Sequence, residues 1–430
     1  MSSPYQRFAY HTFGCKVNFA DSCMIARSLI EKGLTEVSID QDAEIYVLNT
    51  CSVTEKADQK AKSLIKKLYK RSPNSKIIVT GCYAQLKPEK IKIIPGVSTV
   101  INTENKFNID AYINDNKEDV NYFENSIDKV EDFDISYSIN ERTRAFIKVQ
   151  DGCDYVCSYC TIPKARGKSR SGTINSIVLN IQNIIKSGIN EIILSGINVG
   201  DFGQENNESL LDLLVAIERI ENLKRYRISS IEPNLLDDSI IKLISKSKKA
   251  VPHLHIPLQS GSNKILKCMK RRYTVEDYEK LIKKLHNNIP NICIGVDVIV
   301  GYPSENEQDF IRTYNYLNEI EVSYFHIFSY SDRQNTFSYK LKPKIKNETK
   351  AYRRKLLQKL SKEKYNKFVS NNLNQTRQVL FENYNDGYID GLTDNYIRVY
   401  ANGSRKLINK IKNVKILKNE IDVYGELVDY

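Results

Sequence analysis

The chain has 430 residues, 41% of them hydrophobic, with nine cysteines and a formal net charge of +12. That length calls for two or three domains, and no apolar run of about 18 residues marks a membrane span. An odd cysteine count behind an N-terminus (Met1–Tyr10) with no signal-peptide pattern argues against a disulfide framework and for metal ligation in the cytoplasm. The charge favours a polyanionic partner such as nucleic acid, unless it only reflects a composition rich in Lys, Asn and Ile.

The first hundred residues alternate strand and helix. Phe8–Thr12, Ile45–Asn49 and Ile77–Thr80 read as strands. Asp21–Lys32, stopped by Gly33, and Thr54–Lys70, with Pro73 beyond it, read as helices. Such alternation predicts an open parallel sheet covered by helices. Cys15, Cys51 and Cys82 each follow one strand, and open α/β sheets gather ligands at the carboxyl ends of strands. The three then meet as one metal site, unless each is a small buried residue. Cys23, Cys268 and Cys293 lack that context and read as core or surface residues.

Tyr112–Ser138 is acidic, Asn-rich and weakly periodic, as a connector is. Alternation then resumes. Ala145–Gln150, Glu191–Ser195, Tyr226–Ser230, His253–Leu258, Ile292–Val300 and Tyr324–Phe328 read as strands. Ile174–Ser187, Leu210–Ile220, Leu235–Lys246, Val275–Asn287 and Glu305–Ile320 read as helices, the last with a capping box of Ser304 and Glu307. Six such units predict a partial (β/α)6 barrel with its chemistry in the loops at the carboxyl ends of the strands. Lys350–Asn371 reads as a long basic helix. Val379–Glu382, Gly387–Leu392, Tyr396–Tyr400, Val414–Leu417 and Asp422–Val428 then suggest a small OB-like β-barrel, a frequent oligonucleotide binder. The expected fold class is α/β: an open parallel-sheet domain, a partial barrel and a small C-terminal β-barrel.

The loop after the first barrel strand holds Cys153, Cys157 and Cys160 at CxxxCxxC spacing. Three cysteines hold three irons of a cubane cluster and leave the fourth open to a chelating molecule, whereas four would cap every iron. Tyr159 either lies against a purine or packs. His253 and His255 share one strand face, a pattern that suits a metal but more often packed or hydrogen-bonded imidazoles. Arg166, Lys168 and Arg170 form either a phosphate or carboxylate clamp or a solvated basic loop.

Cys153, Cys157, Tyr159 and Cys160 together resemble the CxxxCxΦC signature of the radical S-adenosylmethionine superfamily. Thr12-Phe13-Gly14-Cys15-Lys16-Val17-Asn18, Asn49-Thr50-Cys51-Ser52-Val53-Thr54 and Thr80-Gly81-Cys82 are similar to the N-terminal motifs of methylthiotransferases. Gly391-Leu392-Thr393-Asp394-Asn395-Tyr396 is similar to the RNA-binding TRAM module. The resemblance covers nearly the whole chain apart from the acidic connector. It implies two 4Fe–4S clusters, one at Cys153, Cys157 and Cys160 and an auxiliary one at Cys15, Cys51 and Cys82. It also implies S-adenosylmethionine cleaved to a 5′-deoxyadenosyl radical, an electron-donor protein and no membrane. Residues 4–115 would carry the auxiliary cluster, 116–138 would connect, 139–370 would be the radical core and 372–430 the RNA-binding tail.

Cofactor contacts carry over at Tyr159, at Ser195 and Gly196 of Leu194-Ser195-Gly196, and at Ser229 and Glu232 of Ser229-Ser230-Ile231-Glu232-Pro233. They carry over also at Ile299 and Gly301 of Val298-Ile299-Val300-Gly301-Tyr302-Pro303. The common Gly-Gly-Glu form is missing at the second strand, which puts the role of Ser195 in doubt, and turn formation alone also explains Gly196 and Gly301. Three branches of the family act on isopentenyladenosine in tRNA, on threonylcarbamoyladenosine in tRNA, or on an aspartate of a ribosomal protein. Gln150-Asp151-Gly152-Cys153, the stretch from Ile162 to Ser171, and Lys16-Val17, where the isopentenyl branch usually has Gln-Met, resemble the threonylcarbamoyl branch. The implied substrate is that adenosine in the tRNA anticodon loop, methylthiolated at C2. The rival expectations are isopentenyladenosine in tRNA or a ribosomal-protein aspartate as the target, a zinc-stabilised RNA-binding protein, and a radical enzyme whose second cluster only relays electrons.

Overall fold

The computed structural model describes residues 6–113, 121–122, 127, 130–139, 143–419 and 421–428. Strands β1 (Arg7–Thr12), β2 (Thr35–Glu36), β3 (Ile45–Thr50), β4 (Lys76–Gly81), β5 (Val97–Val100) and β6 (Asn121–Tyr122) form one sheet in the order β2-β1-β3-β4-β5-β6. Every pairing is parallel. Helices α1 (Lys16–Glu31), α2 (Glu55–Arg71), α3 (Cys82–Leu86), α4 (Pro88–Lys92) and α5 (Asp110–Ile113) complete the unit. All six residues of central β3 are buried, as a strand covered on both faces must be. Thr54 caps α2 by accepting from the Ala57 N–H.

Helix α1 begins at Lys16, earlier than the expected Asp21. Asn18, Asp21 and Ser22 look like surface turn residues in the sequence, but all three are buried in polar contacts with neighbouring strands. The expected connector, 116–138, lies largely outside the described residues. Its described end is attached rather than loose: Ser138 donates to the Phe146 carbonyl, and Lys148 donates to that of Ser136.

The second unit contains β7 (Arg144–Lys148), a short hairpin of β8 (Gln150–Asp151) and β9 (Arg170–Ser171), and α6 (Ile162–Arg166) between them. Then follow α7 (Ile174–Lys186), β10 (Glu191–Ser195), α8 (Leu210–Glu218), β11 (Arg225–Ile228), α9 (Asp238–Lys246), β12 (His253–His255), α10 (Asn263–Cys268) and α11 (Val275–Asn288). β13 (Cys293–Val300), α12 (Glu307–Glu319), β14 (Tyr324–Ser329) and α13 (Asn347–Ser370) close it. The six barrel strands run in parallel as two bonded groups, β7-β10-β11 and β12-β13-β14. Single bridges, Tyr226 to Ala250 and Ser230 to His255, join them. β12 ends short of the expected Leu258, where Pro257 has no N–H to donate to the sheet.

One expected cap is corrected. Asn306 and Asp309, not Ser304 and Glu307, form the capping box of α12. Ser304 has φ +71°, which is incompatible with the extended backbone of an N-cap.

Strands β15 (Thr376–Asn385), β16 (Tyr388–Thr393), β17 (Arg398–Asn402), β18 (Ile411–Asn419) and β19 (Val423–Leu427) close into a barrel in the order β15-β16-β17-β19-β18. This barrel sits under the amino-terminal ends of the central strands. Arg225, at the start of β11, donates to the carbonyls of Gln378 and Leu392. Arg144 pairs with Glu382 at 2.7 Å, and Asn395 donates to the Asn291 carbonyl. Among the described residues no helix is long and apolar enough to cross a membrane.

Candidate active site between two cysteine triads

The loop carrying Cys153, Cys157 and Cys160 leaves β8 through Gly152, at φ +71°, where a Cβ would stand 1.8 Å from the Lys168 carbonyl oxygen. Each sulfur receives a hydrogen bond. The Tyr155 N–H reaches Cys153 Sγ and the Ile162 N–H reaches Cys160 Sγ, both at 3.4 Å, while Arg271 Nη1 donates to Cys157 Sγ at 3.2 Å. Ser158 shares a hydrogen bond with the Tyr302 hydroxyl and donates to the Cys268 carbonyl, pinning the loop. Burial pushes the thiols of Cys153 and Cys160 up to about 12, so protons stay on them unless a metal displaces them. Three soft sulfurs in one loop, each met by a donor, fit the ligand set of an iron–sulfur cluster.

Cys15, Cys51 and Cys82 also converge. Burial raises the Cys51 thiol to about 12, with Cys82 and Cys15 adding to the rise, and Cys15 acts on Cys82 in the same direction. Asn18 donates to the carbonyls of both Phe13 and Thr50, and the Thr50 hydroxyl donates to the Thr80 carbonyl. These bonds lock together the strand ends that bear the three cysteines. Gly14 lies so close that a Cβ would be 2.8 Å from Cys51 Cβ. At Gly81, φ is +91° and a Cβ would be 2.4 Å from the Thr50 carbonyl oxygen, so only glycine delivers Cys82 here.

Arg166 ties the two loops together. It lies on α6, just past Cys160, and opposes the burial-driven rise of the Cys82 thiol. It forks onto Asp151 at 2.7 and 2.8 Å and also bonds Asn18. Lys106 and Lys148 pair with Asp21 at 2.7 and 3.0 Å, and Arg170 lies 3.8 Å from Asp151. Burial favours protonation of Asp21 and Asp151, but these cations overcome it and hold both carboxyls well below the usual range. Four buried cations thus share two carboxylates beside the second triad, leaving positive charge that anionic sulfur ligands would balance. The solvated-loop expectation for this segment is corrected: Arg166 and Arg170 are buried structural partners, and only Lys168 is exposed.

A cavity of about 200 Å³ opens beside Cys160. Tyr159, Cys160, Gln259, Asp297 and Ile299 line one side, and Val53 and Thr54, just past Cys51, line the other. Of the residues expected to touch a cofactor, Tyr159 and Ile299 therefore meet here. Ser195 and Gly196 lie at the end of β10, where Gln150, read from the sequence only as part of a branch motif, organises the turn: Gln150 Oε1 accepts from the Ile197 and Asn198 N–H groups, both at 2.9 Å. The buried Ser229 hydroxyl has no hydrogen-bond partner among the described residues, and Glu232 pairs with Arg271. Gly301 lies apart from the cavity wall, at φ +75°, where its N–H donates to Glu305 and a Cβ would strike Lys350.

The barrel interior is polar. Ala145, Ile147, Ile192, Leu194, Tyr226, Ile228, Val296 and Val298 pack outward among the helices, so strand alternation turns Glu191, Arg225, Arg227, His253, His255, Asp297 and His326 inward. His255 Nε2 and His326 Nδ1 lie 2.9 and 3.4 Å from Asp297 Oδ1. Burial raises the Asp297 carboxyl, but the two imidazoles bring it down to about 2. His253 bonds the Tyr324 hydroxyl at 2.9 Å and stacks 4.2 Å from the ring of Tyr396, which rises from the C-terminal barrel. The two histidines of β12 are thus packed and hydrogen-bonded. Lys16, next to Cys15, has Arg227, Arg144 and Glu191 as its electrostatic neighbours.

Residues 7–102 match the uncharacterized protein family UPF0004, and residues 147–317 match the radical SAM superfamily. The chain is 36% identical to the threonylcarbamoyladenosine tRNA methylthiotransferase MtaB of Bacillus subtilis, covering 95% of this chain and 93% of that one. It is 35% identical to the MtaB of Aquifex aeolicus (95% and 100%). It is 33% identical to a tRNA-2-methylthio-N(6)-dimethylallyladenosine synthase of Endomicrobium trichonymphae (98% and 100%). Among solved structures, the radical S-adenosylmethionine methyltransferase TsrM from Kitasatospora setae superposes with TM-score 0.58 at 14% identity, covering 76% of this chain and 73% of that one. That likeness is one of fold.

Proposed function

Because the chain belongs to the radical S-adenosylmethionine methylthiotransferases that act on tRNA, we propose that its substrate is threonylcarbamoyladenosine in the anticodon loop, methylthiolated at C2. The observation that carries this reading is the cavity walled by Tyr159 and Cys160 of one cysteine loop and by Val53 and Thr54, just past Cys51 of the other. Full-length relatives named for the threonylcarbamoyl substrate, at 35% and 36% identity, support it further. We assign one 4Fe–4S cluster to Cys153, Cys157 and Cys160 and a second to Cys15, Cys51 and Cys82.

When bound, the clusters and S-adenosylmethionine supply one-electron chemistry strong enough to take hydrogen from an unactivated aromatic carbon, together with the sulfur that replaces it. The chain's own residues bind and orient. Tyr159 and Ile299 offer apolar walls for an adenine ring, and Ser195, Gly196, Ser229 and Glu232 rim the carboxyl ends of their strands as polar cofactor contacts. Gly301 shapes the turn beside them. The C-terminal barrel and the basic charge serve the RNA, and an electron-donor protein of the cytoplasm would reduce the cluster.

Mass analysis of tRNA nucleosides from cells lacking the gene tests the reading. Loss of 2-methylthio-threonylcarbamoyladenosine is expected. Loss of the dimethylallyl product instead, or an unchanged profile with a methylthio group missing from a ribosomal protein, overturns it. Anaerobic reconstitution should give about eight irons per chain; zinc without iron would contradict the cluster assignment.

A further inference from the structure

The floor of the barrel interior holds cationic donors that no described residue pairs, although one carboxylate, Glu191, lies among them. Arg227, on β11, is 1% exposed, and its Nε pairs with Glu191 at 3.2 Å. Both of its Nη atoms are buried without a hydrogen-bond partner among the described residues. His253 Nδ1 is likewise buried and unpartnered. Lys16 enters from the N-terminal unit, where α1 packs beside β7 and Phe19 meets Phe146 edge-on at 5.7 Å. Its side chain is accessible, and its strongest electrostatic neighbours are Arg227 and Arg144, both cations. No described residue gives it an ion pair. The two nearby carboxylates are already engaged, Glu191 by Arg225 and Arg227 and Asp297 by His255 and His326.

A buried guanidinium with two free donors beside an accessible ammonium is a receptor for an anion. It lies along the inner face that continues from the cavity: Asp297 lines that cavity and bonds His255 at 2.9 Å, and His253 on the same strand stacks 4.2 Å from Tyr396, whose ring lies 5.0 Å from Arg227. An adenine carrying a dimethylallyl group would bring no charge to it. An adenine carrying a threonylcarbamoyl group brings one carboxylate.

We infer that Lys16 and Arg227 receive the carboxylate of the substrate's threonylcarbamoyl group and so select that base. The inference rests on the substrate reading above. It makes Lys16 a specificity residue as well as the neighbour of a cluster cysteine.

The test uses the reconstituted enzyme and anticodon stem-loop RNAs bearing threonylcarbamoyladenosine, its methyl ester, or unmodified adenosine, with binding measured anaerobically. The wild-type enzyme is expected to bind the free acid about tenfold more tightly than the ester, the scale of one charge-assisted hydrogen bond. Lys16→Gln is expected to bind acid and ester alike, with iron content and affinity for the unmodified RNA unchanged, and Lys16→Arg to keep the preference. A tenfold preference retained in Lys16→Gln overturns the inference. So does a wild-type enzyme that methylthiolates the acid yet binds the ester equally well, a result that needs no variant. Methylthiolation of a dimethylallyl stem-loop but not of the threonylcarbamoyl one would instead overturn the substrate reading, and this inference with it.

Discussion

At the scale of single residues, the six cysteines were readable because their signals are local: three sit within one loop and three immediately after strands. Arg271 was not. It belongs to the turn after α10, far along the chain from Cys157, and only the fold brings its Nη1 to that sulfur. A donor and positive charge on a ligating thiolate raise the potential of the attached cluster. Arg271→Gln should therefore make the cluster harder to reduce at unchanged iron content. EPR-monitored redox titration measures this; an unaltered potential would assign Arg271 to packing and to Glu232 alone. The inward polar residues were hidden for a different reason. Arg225, Tyr226, Arg227 and Ile228 alternate polar and apolar, which reads as a strand with one face in water. Here the polar face lines an enclosed interior, and nothing local distinguishes the two cases.

At the scale of elements, most strands and helices were legible from periodicity, and the misplaced boundaries have identifiable causes. Ser304 to Glu307 and Asn306 to Asp309 both satisfy the capping-box spacing. Only the backbone decides between them, since Ser304 takes a left-handed conformation and donates to the Lys342 carbonyl. Asn306→Ala should accordingly cost about 1 kcal/mol in urea unfolding, while Ser304→Gly should cost nothing or stabilise slightly. Equal losses at both positions would contradict this assignment. The hairpin of β8 and β9 was missed because its strands have two residues each. That hairpin nonetheless aims the cysteine loop, and Asp151 within it anchors Arg166.

At the scale of the molecule, three domain types were legible, but not how they share walls. The N-terminal unit lends α1 to the side of the barrel, and the C-terminal unit lends its floor. Glu191 marks that junction, with Arg225, Arg227 and Arg144 around it and Arg144 also reaching Glu382. Burial raises the Glu191 carboxyl, but the three arginines more than offset this and hold it at about 2, against an ordinary 4.5. Its contribution to stability is complete above about pH 4.5 and is lost as pH falls toward 2. Glu191→Gln should cost about 3–5 kcal/mol near neutral pH by leaving buried arginines unpaired, and the gap from wild type should narrow across that acid window. Denaturant melts at stepped pH follow it, and a gap independent of pH would show that the charge is not what matters. Tyr396, stacked beneath His253 and Tyr324 and 5.0 Å under Arg227, closes the floor of the barrel. With the barrel stopped at that end, a molecule reaching the interior from the opposite end would pass the loops that carry the cysteines.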